Sequence, residues 1–257
     1  MKRIALTIVF LLAFGALRAP YEIMLQDSEK SAQFRTVVLN LTLREQIGQT
    51  SFLAALSGFR SLIAAFLWID AHIAWEKTEW GRMAGIFGIV TTLQPHSVLY
   101  WDMSAWHMAW NASVAAAEDK NQPSELLRKR AQHQYFDLGR SFLERGILNN
   151  PDKYYLYERL GALERDKYEN HAAAAAAFAK AAALPDAPPY IRRFAAYELS
   201  KVPGKEKEAY HMLREIFDLG EIQRLPTLMK SLQEMEKKLD IPQDQRIQVP
   251  APSREKK

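Results

Sequence analysis

The stretch that decides the fold is residues 154–185, YYLYERLGALERDKYENHAAAAAAFAKAAALP. Its apolar residues recur at intervals of three and four, which is the spacing of a helix with one buried face. Small residues at a helix crossing allow close approach, large ones fill the space beside it, and a proline ends the second helix. The stretch therefore predicts a pair of packed helices. The residues that carry the pattern are Tyr157, Leu160, Gly161, Ala174, Phe178, Ala181 and Pro185.

Prolines mark the ends of further helix pairs. Pro95, Pro151 and Pro185 each follow a helix-like segment, in the contexts TLQP, LNNP and AALP. The last two are 34 residues apart, and a further 34 residues reaches Leu219, next to Gly220. A fixed period of this length indicates tandem repeats of one helix pair.

Three other units surround this pair. One runs from Ala64 to Pro95, and another begins near Pro188. The unit between Pro95 and Pro151 is 56 residues long, which we attribute to an insertion at residues 118–124 and a lengthened second helix. The apolar and small positions of these units are Leu67, Ala71, Met83, Phe87, Val90, Trp101, Ala105, Ile191 and Ala195.

Residues 220–240 are predicted to form a helix that caps the repeats. Pro226 stands in its first turn, where proline is tolerated. A stack of helix pairs needs such a terminal helix with a polar outer face for solubility. Residues 241–257, which contain Pro, Gln and Lys, are predicted to be a disordered tail. The apolar face of the capping helix consists of Leu228, Leu232, Met235 and Leu239.

Residues 64–219 resemble a tetratricopeptide-repeat (TPR) protein, through the 34-residue period and the helix-pair pattern. A second resemblance, to a group of bacterial membrane-anchored TPR proteins, is carried by Leu93–Pro95 and by AWHMAWN at Ala105–Asn111. This second resemblance bears on architecture only. Together they imply an all-α fold, a right-handed solenoid of TPR-like helix pairs, with a concave surface that docks a protein or peptide.

Residues 1–20 are predicted to be a membrane anchor or a signal segment. Lys2 and Arg3 precede Ile4–Leu17, fourteen residues without a charge. As a helix these residues would span about 21 Å, and flanking basic side chains can reach across the remaining hydrocarbon thickness. A retained single-pass transmembrane helix is favoured over a cleaved signal peptide and over a buried helix of a soluble domain. The basic flank favours a body on the extracytoplasmic side.

Residues 21–63 are expected to be a juxtamembrane and apolar helical region. The apolar stretch Phe52–Ile69 begins within it, and its one charged residue is Arg60. A central arginine is costly in a helix that spans a bilayer. We therefore expect a buried helix, which could rest on the membrane surface, rather than a second span.

The composition is that of an ordinary folded protein, with charge distributed unevenly. Of 257 residues, 48% are hydrophobic and 25% charged, and the formal net charge is +4. The first 110 residues hold 17 charged side chains, whereas the remaining 147 hold 47. The first part is therefore expected to face lipid or to be deeply buried. The two signs are interleaved, which argues against a nucleic-acid-binding surface.

The sequence shows no pattern of catalytic or metal-binding residues. Cysteine is absent, which excludes thiolate metal sites and cysteine nucleophiles. The six histidines have neither H-x-x-x-H nor H-E-x-x-H spacing. Gly81, Gly85 and Gly88 are not followed by the Lys-Ser/Thr of a phosphate loop, so a helix contact is favoured. We predict a protein that is not an enzyme and has no cofactor, no metal and no small-molecule substrate.

A partner-binding groove is predicted from the positions that line the concave surface in the expected repeat register. Tryptophan is enriched in binding hot spots and at membrane interfaces. Aromatic residues at one end and mixed charge at the other would suit an amphipathic helix or an extended tail. The predicted groove residues are Trp68, His72, Trp75, Asp102, Trp106, Trp110, Tyr155, Glu158, Arg165, Asp166 and Arg192.

These features predict a membrane-tethered, non-catalytic TPR scaffold for protein–protein interaction. The alternative is a structural or accessory subunit of a larger membrane protein complex. In that case its Trp-rich, apolar first half would be the interface with the rest of the complex. A third option is an enzyme, which would require a pocket of convergent polar groups that the sequence does not indicate.

Overall fold

The computed structural model describes residues 59–247. Within this range the chain is all-α, with nine helices joined by loops and short 3₁₀ turns and without a strand, so the expected all-α class is confirmed. The chain divides into two compact units, the first ending at Gln94 and the second beginning at Pro95. None of the helices between residues 59 and 247 combines the length and the apolar character needed to cross a bilayer. The anchor expected at residues 4–17 lies outside the described residues.

Eight of the described helices are regular, and α3 is composite. Helix α3 consists of an α-helical segment Val98–Trp106, a π-helical turn His107–Ala112 and an α-helical segment Ser113–Ala117. The other helices are α1 (Arg60–Glu76), α2 (Trp80–Leu93), α4 (Glu125–Asn149), α5 (Tyr154–Lys167), α6 (His171–Ala182), α7 (Pro189–Leu199), α8 (Glu206–Asp218) and α9 (Pro226–Lys238).

The first unit contains a hairpin formed by α1 and α2. The turn between them passes through Thr78, whose φ of 56° lies in the left-handed region. Trp68 of α1 stacks on Phe87 of α2 with ring centroids 5.2 Å apart. Small residues on α1 let α2 approach, and the larger side chains of α2 fill the space. The buried residues of this hairpin include Ala64, Ala71, Ala74, Met83, Ile86, Phe87, Val90 and Leu93.

The outer face of α1 is exposed, contrary to the expectation of a buried helix over residues 52–69. Leu62, Phe66 and Ile69 are 52%, 64% and 57% exposed. Helix α1 packs on α2 through its alanine face, so this packing covers only that side. The expectation of burial is therefore wrong for the outer face of α1, and residues 52–58 lie outside the described residues.

In the second unit, α3 and α4 pack closely through two glycines. A Cβ atom built on Gly139 would lie 2.7 Å from the Cβ of Ala109, and one built on Gly146 would lie 2.8 Å from the Cβ of Trp101. Trp101 is buried, and its indole Nε1 donates a hydrogen bond to the carbonyl of Pro95 over 2.7 Å. Because glycine has no Cβ atom, Gly139 and Gly146 allow these two helices to approach at this distance.

The connection between α3 and α4 is the segment 118–124, where the sequence indicates an insertion. Ser124 ends it as the N-cap of α4, and its Oγ accepts a hydrogen bond from the N–H of Leu127 over 3.4 Å. Helix α4 has 25 residues and is the longest of the described helices, as the expected lengthening requires.

The helix pair predicted over residues 154–185 is formed by α5 and α6. A Cβ atom on Gly161 would lie 2.9 Å from the ring of Phe178, so the glycine lets the buried ring lie against the backbone of α5. Asn170 caps α6, because its Oδ1 accepts a hydrogen bond from the N–H of Ala173 over 3.1 Å.

Helices α7, α8 and α9 enclose a second core. Pro189 and Pro226 stand in the first turns of α7 and α9, where no intrahelical N–H bond is lost. The side chains that fill this core are Ala196, Ala209, Leu213, Ile216, Phe217, Leu228, Leu232, Met235 and Ile247.

The prediction of a disordered tail from residue 241 onward is wrong for residues 241–247, which pack against the rest of the second unit. Ile247 is buried in the second core, and its N–H donates a hydrogen bond to Oε1 of buried Glu236 over 2.9 Å. Burial of an apolar side chain holds this segment against α9. The remaining tail residues, 248–257, lie outside the described residues.

The helices of the second unit pack mainly on their neighbours in the chain. Contacts run from α3 to α4, and so on in order to α9. Helix α3 also contacts α5, and α7 also contacts α9. The unit is therefore built from local pairs, with each additional helix added beside the preceding ones.

Candidate functional site

The second unit contains a cleft of about 210 Å³ between α3, α4 and α5. Its wall combines aromatic side chains, two arginines, two aspartates and small residues. The lining residues are Asp102, Ala105, Trp106, Trp110, Leu143, Arg159, Ala162, Arg165 and Asp166.

Helical spacing places these side chains on the cleft. On α5, Arg159, Ala162 and Asp166 are separated by three and four residues and so share one face. On α3, Trp106 and Trp110 are also four apart, but Trp110 lies in the π-helical turn. In a π turn the backbone hydrogen bonds span five residues, so a step of four falls short of a full turn. The π turn therefore changes the direction of Trp110 relative to Trp106.

A hydrogen-bonded network joins α3 to α5 at one end of the cleft. The hydroxyl of Tyr155 donates to Oδ2 of Asp102 over 2.9 Å and accepts from Nη2 of Arg159 over 2.5 Å. Nε of Arg159 lies 3.4 Å from Oδ1 of Asp102. Burial raises the pKa of Asp102, while the hydroxyl of Tyr155 and the charge of Arg159 act to lower it. The network keeps the arginine charge paired and its guanidinium over the Tyr155 ring, 4.5 Å from the centroid.

A second ion pair on the cleft wall is formed by Arg165 and Asp166 of α5. Nε and Nη2 of Arg165 donate to the two carboxylate oxygens of Asp166 over 2.6 and 3.1 Å. The same guanidinium lies 5.7 and 5.9 Å from the ring centroids of Phe178 and Phe194. Each arginine of the cleft is thus paired with an aspartate, and the lining as a whole carries no net charge.

Two tryptophans form the aromatic part of the cleft. Trp106 is 43% exposed and meets the ring of His107 edge-on at 5.0 Å. Nζ of Lys167 lies 5.0 Å from the ring centroid of Trp110 and 5.5 Å from that of Phe136. Burial lowers the pKa of Lys167. Trp106 therefore offers an accessible aromatic surface beside polar groups, a combination that favours protein binding.

A buried ion pair behind this site holds α4 against α5. Nε and Nη2 of Arg140 bind the carboxylate oxygens of Glu164 at 2.7 and 2.9 Å, and the side chain of Glu164 is 8% exposed. The guanidinium of Arg140 lies 3.7 Å from the ring centroid of Tyr168, whose hydroxyl donates to Oδ1 of Asp137 over 2.6 Å. These contacts support the helices that carry the cleft.

The cleft brings together five of the eleven predicted groove residues. Tyr155 adjoins them through its hydrogen bond to Asp102. Glu158 accepts a hydrogen bond from the hydroxyl of Tyr190 over 3.1 Å, and Arg192 pairs with Glu215 of α8. The five residues on the cleft are Asp102, Trp106, Trp110, Arg165 and Asp166.

The remaining three predicted groove residues lie on α1 in the first unit. Trp68 stacks on Phe87 and so contributes to the packing of the α1–α2 hairpin. The ring of His72 stacks on that of Trp75 with centroids 5.3 Å apart, and its Nε2 lies 3.5 Å from Oε1 of Glu76.

Sequence reasoning missed Ala105, Leu143, Arg159 and Ala162 as lining residues. Arg159 follows Tyr155 by four positions and precedes Ala162 by three, so the helical spacing on α5 would have identified both. Leu143 comes from a third helix and carries no comparable signal. Within residues 59–247, no group of three or more His, Asp or Glu side chains is placed to hold a metal ion.

No model of a known protein family matches this chain, and no curated protein matches it.

Proposed function

We propose that this protein is a membrane-tethered scaffold built from TPR-like helix pairs, and that its cleft docks a protein or peptide without catalysing a reaction. The observation that carries the proposal is the cleft itself. Side chains from α3 and α5 that the repeat register predicts for a groove line one concave site. The tether is residues 4–17, with the body on the extracytoplasmic side.

The packing of the helices supports the repeat assignment. In the second unit each helix contacts the next in the chain, and three glycines stand where neighbouring helices approach most closely. Pairs of helices with small residues at their crossings are the building blocks of helical solenoids. The repeats would extend over residues 64–219, with α9 as the capping helix.

The chemistry of the cleft indicates the kind of partner. Its volume of about 210 Å³ is smaller than the pockets that enclose drug-sized ligands, so it suits one anchoring side chain of a larger partner. Trp106 supplies an aromatic contact for an apolar anchor. Because both arginines are already paired, the cleft favours a segment of mixed charge over a strongly anionic one. An amphipathic helix or an extended tail with one apolar anchor fits these requirements.

Removal of the exposed aromatic surface tests the docking role. The tagged full-length chain is extracted from native membranes in mild detergent, and each copurifying protein is quantified. We expect Trp106→Ala to reduce recovery of a specific partner by roughly 10-fold or more, as for a binding hot spot. Leu148→Ala is the control, because Leu148 is an 80% exposed apolar residue of α4 that does not line the cleft. Equal recovery with the wild-type and Trp106→Ala chains would refute docking in the cleft.

The same pull-down tests the tether. A chain that lacks residues 1–30 should still bind its partner in solution if the protein is a scaffold. If one membrane complex copurifies in fixed proportion, and only with the intact chain, the accessory-subunit function would replace the scaffold.

A further inference from the structure

The outer face of α1 carries a continuous row of large apolar side chains. Leu62, Phe66, Ile69 and Ile73 are separated by four, three and four residues, which places them on one face over three turns. They are 52%, 64%, 57% and 39% exposed. We call these four residues the apolar stripe. An exposed row of this kind marks an interaction surface, because single exposed apolar residues are ordinary but contiguous ones are not.

The charged groups of α1 stand outside the apolar stripe. Asp70 points toward α2, where its Oδ1 binds Nη2 of Arg82 at 2.5 Å. Glu76 lies at the C-terminal end of the helix, within 3.5 Å of His72. Arg60 is the first residue of the helix. The middle of the outer face therefore has no charged side chain to pair with a partner or to define a register.

We propose that the apolar stripe lies on the surface of the lipid bilayer, so that α1 is an interfacial helix. This inference rests on the membrane tether at residues 4–17 that forms part of the proposed function. The opposite, alanine-rich face of α1 is buried on α2, so the hairpin presents the apolar stripe on its outer side, where a bilayer surface can cover it.

The tether makes lipid the surface most available to the stripe. The residues between the apolar run and α1, 18–58, can extend at most about 140 Å. The hairpin therefore stays within that distance of the bilayer that holds residues 4–17, which raises its effective concentration there relative to a free protein. A surface that is apolar and without charge requires no specific partner to bind lipid.

The chain contains no cysteine, so single cysteines can report the position of the stripe. We would place Phe66→Cys, Ile69→Cys, Leu11→Cys and Lys180→Cys in separate full-length chains. Each cysteine is labelled with an environment-sensitive fluorophore, and each labelled chain is reconstituted into phosphatidylcholine vesicles that contain nitroxide-labelled lipid. Lys180 is exposed on α6 of the second unit and serves as the comparison position outside the apolar stripe. Circular dichroism confirms that each labelled chain keeps its helix content.

We expect the nitroxide lipid to quench the labels at positions 66 and 69 at least twofold more than the label at position 180. Quenching at position 11 without quenching at 66 and 69 would overturn the interfacial helix and leave the tether intact. Quenching at positions 66 and 69 but not 11 would support the interfacial helix and refute the tether. Efficient disulfide formation between two unlabelled Phe66→Cys chains, without lipid quenching at that position, would assign the stripe to a second copy instead.

Discussion

Two classes of helical glycine make opposite predictions for the same substitution. Gly139, Gly146 and Gly161 face a neighbouring helix, and a Cβ atom built on them would lie 2.7 to 2.9 Å from the nearest atom. A Cβ atom on Gly85 or Gly88 of α2 meets nothing within 4 Å. Replacing each glycine by alanine therefore separates the intrinsic cost of glycine in a helix from the steric cost of close packing.

The magnitudes follow from these distances. Alanine is more favourable than glycine inside a helix by about 1 kcal/mol. Gly85→Ala and Gly88→Ala should therefore raise the free energy of unfolding by about that amount. At Gly139 the new methyl group would also meet the backbone oxygen of Ala105 at 2.9 Å, so the two helices must separate. Overpacking costs about 1 to 3 kcal/mol, so after the gain of about 1 kcal/mol the net loss of stability is up to about 2 kcal/mol.

Gly161→Ala should cost less than Gly139→Ala. The nearest atoms at Gly161 belong to the ring of Phe178, which can rotate, whereas those at Gly139 include backbone. The loss of unfolding free energy in Gly146→Ala should lie between those of the other two variants, because the nearest atom at Gly146 is the Cβ of buried Trp101.

Urea unfolding followed by far-ultraviolet circular dichroism measures these changes. If the same chains are unfolded by heat, a change of 1 kcal/mol in the free energy of unfolding corresponds to a shift in Tm of about 2 to 4 °C for a protein of this size. If Gly139→Ala stabilised the protein as Gly85→Ala does, the close packing of α3 on α4 would be refuted. Loss of stability in Gly85→Ala would show that the outer face of α2 is covered in the intact protein.

Two further predictions concern the contacts behind the cleft. Glu164→Gln should lower the free energy of unfolding by about 3 kcal/mol, because the charge of Arg140 would lose its buried partner, and urea unfolding would show the shift. Burial, together with hydrogen bonding to Asp137, raises the pKa of Tyr168. The protonated Tyr168 side chain therefore makes its full contribution to the free energy of unfolding below the ordinary tyrosine pKa of about 10. This contribution is lost as pH rises through the folded-state pKa. Tyr168→Phe should make the free energy of unfolding less dependent on pH above about pH 10, and urea unfolding at several alkaline pH values measures this slope. The same slope in the wild-type and variant chains would contradict the prediction.

Local patterns in the sequence are enough to predict the helices and several of their ends. The spacing of apolar residues predicts the all-α class, because each helix records its buried face in its own local pattern. Pro226 at the start of α9 and the segment 118–124 between α3 and α4 are local signals of the same kind. The close contact of Gly161 with Phe178 also follows the spacing within one helix pair.

Which faces are covered and which side chains meet depends on the packing of distant segments. Asp102 and Arg159 are 57 positions apart, and the packing of α3 beside α5 brings them together. Ile247 lies within the predicted disordered tail, yet it packs into the core formed by α7, α8 and α9. The apolar residues of α1 have the same spacing whether they are buried or exposed. The local periodicity shows which residues share a face of the helix, but it does not show what covers that face. The register between helices is set by side chains from distant parts of the chain, and no local pattern contains it.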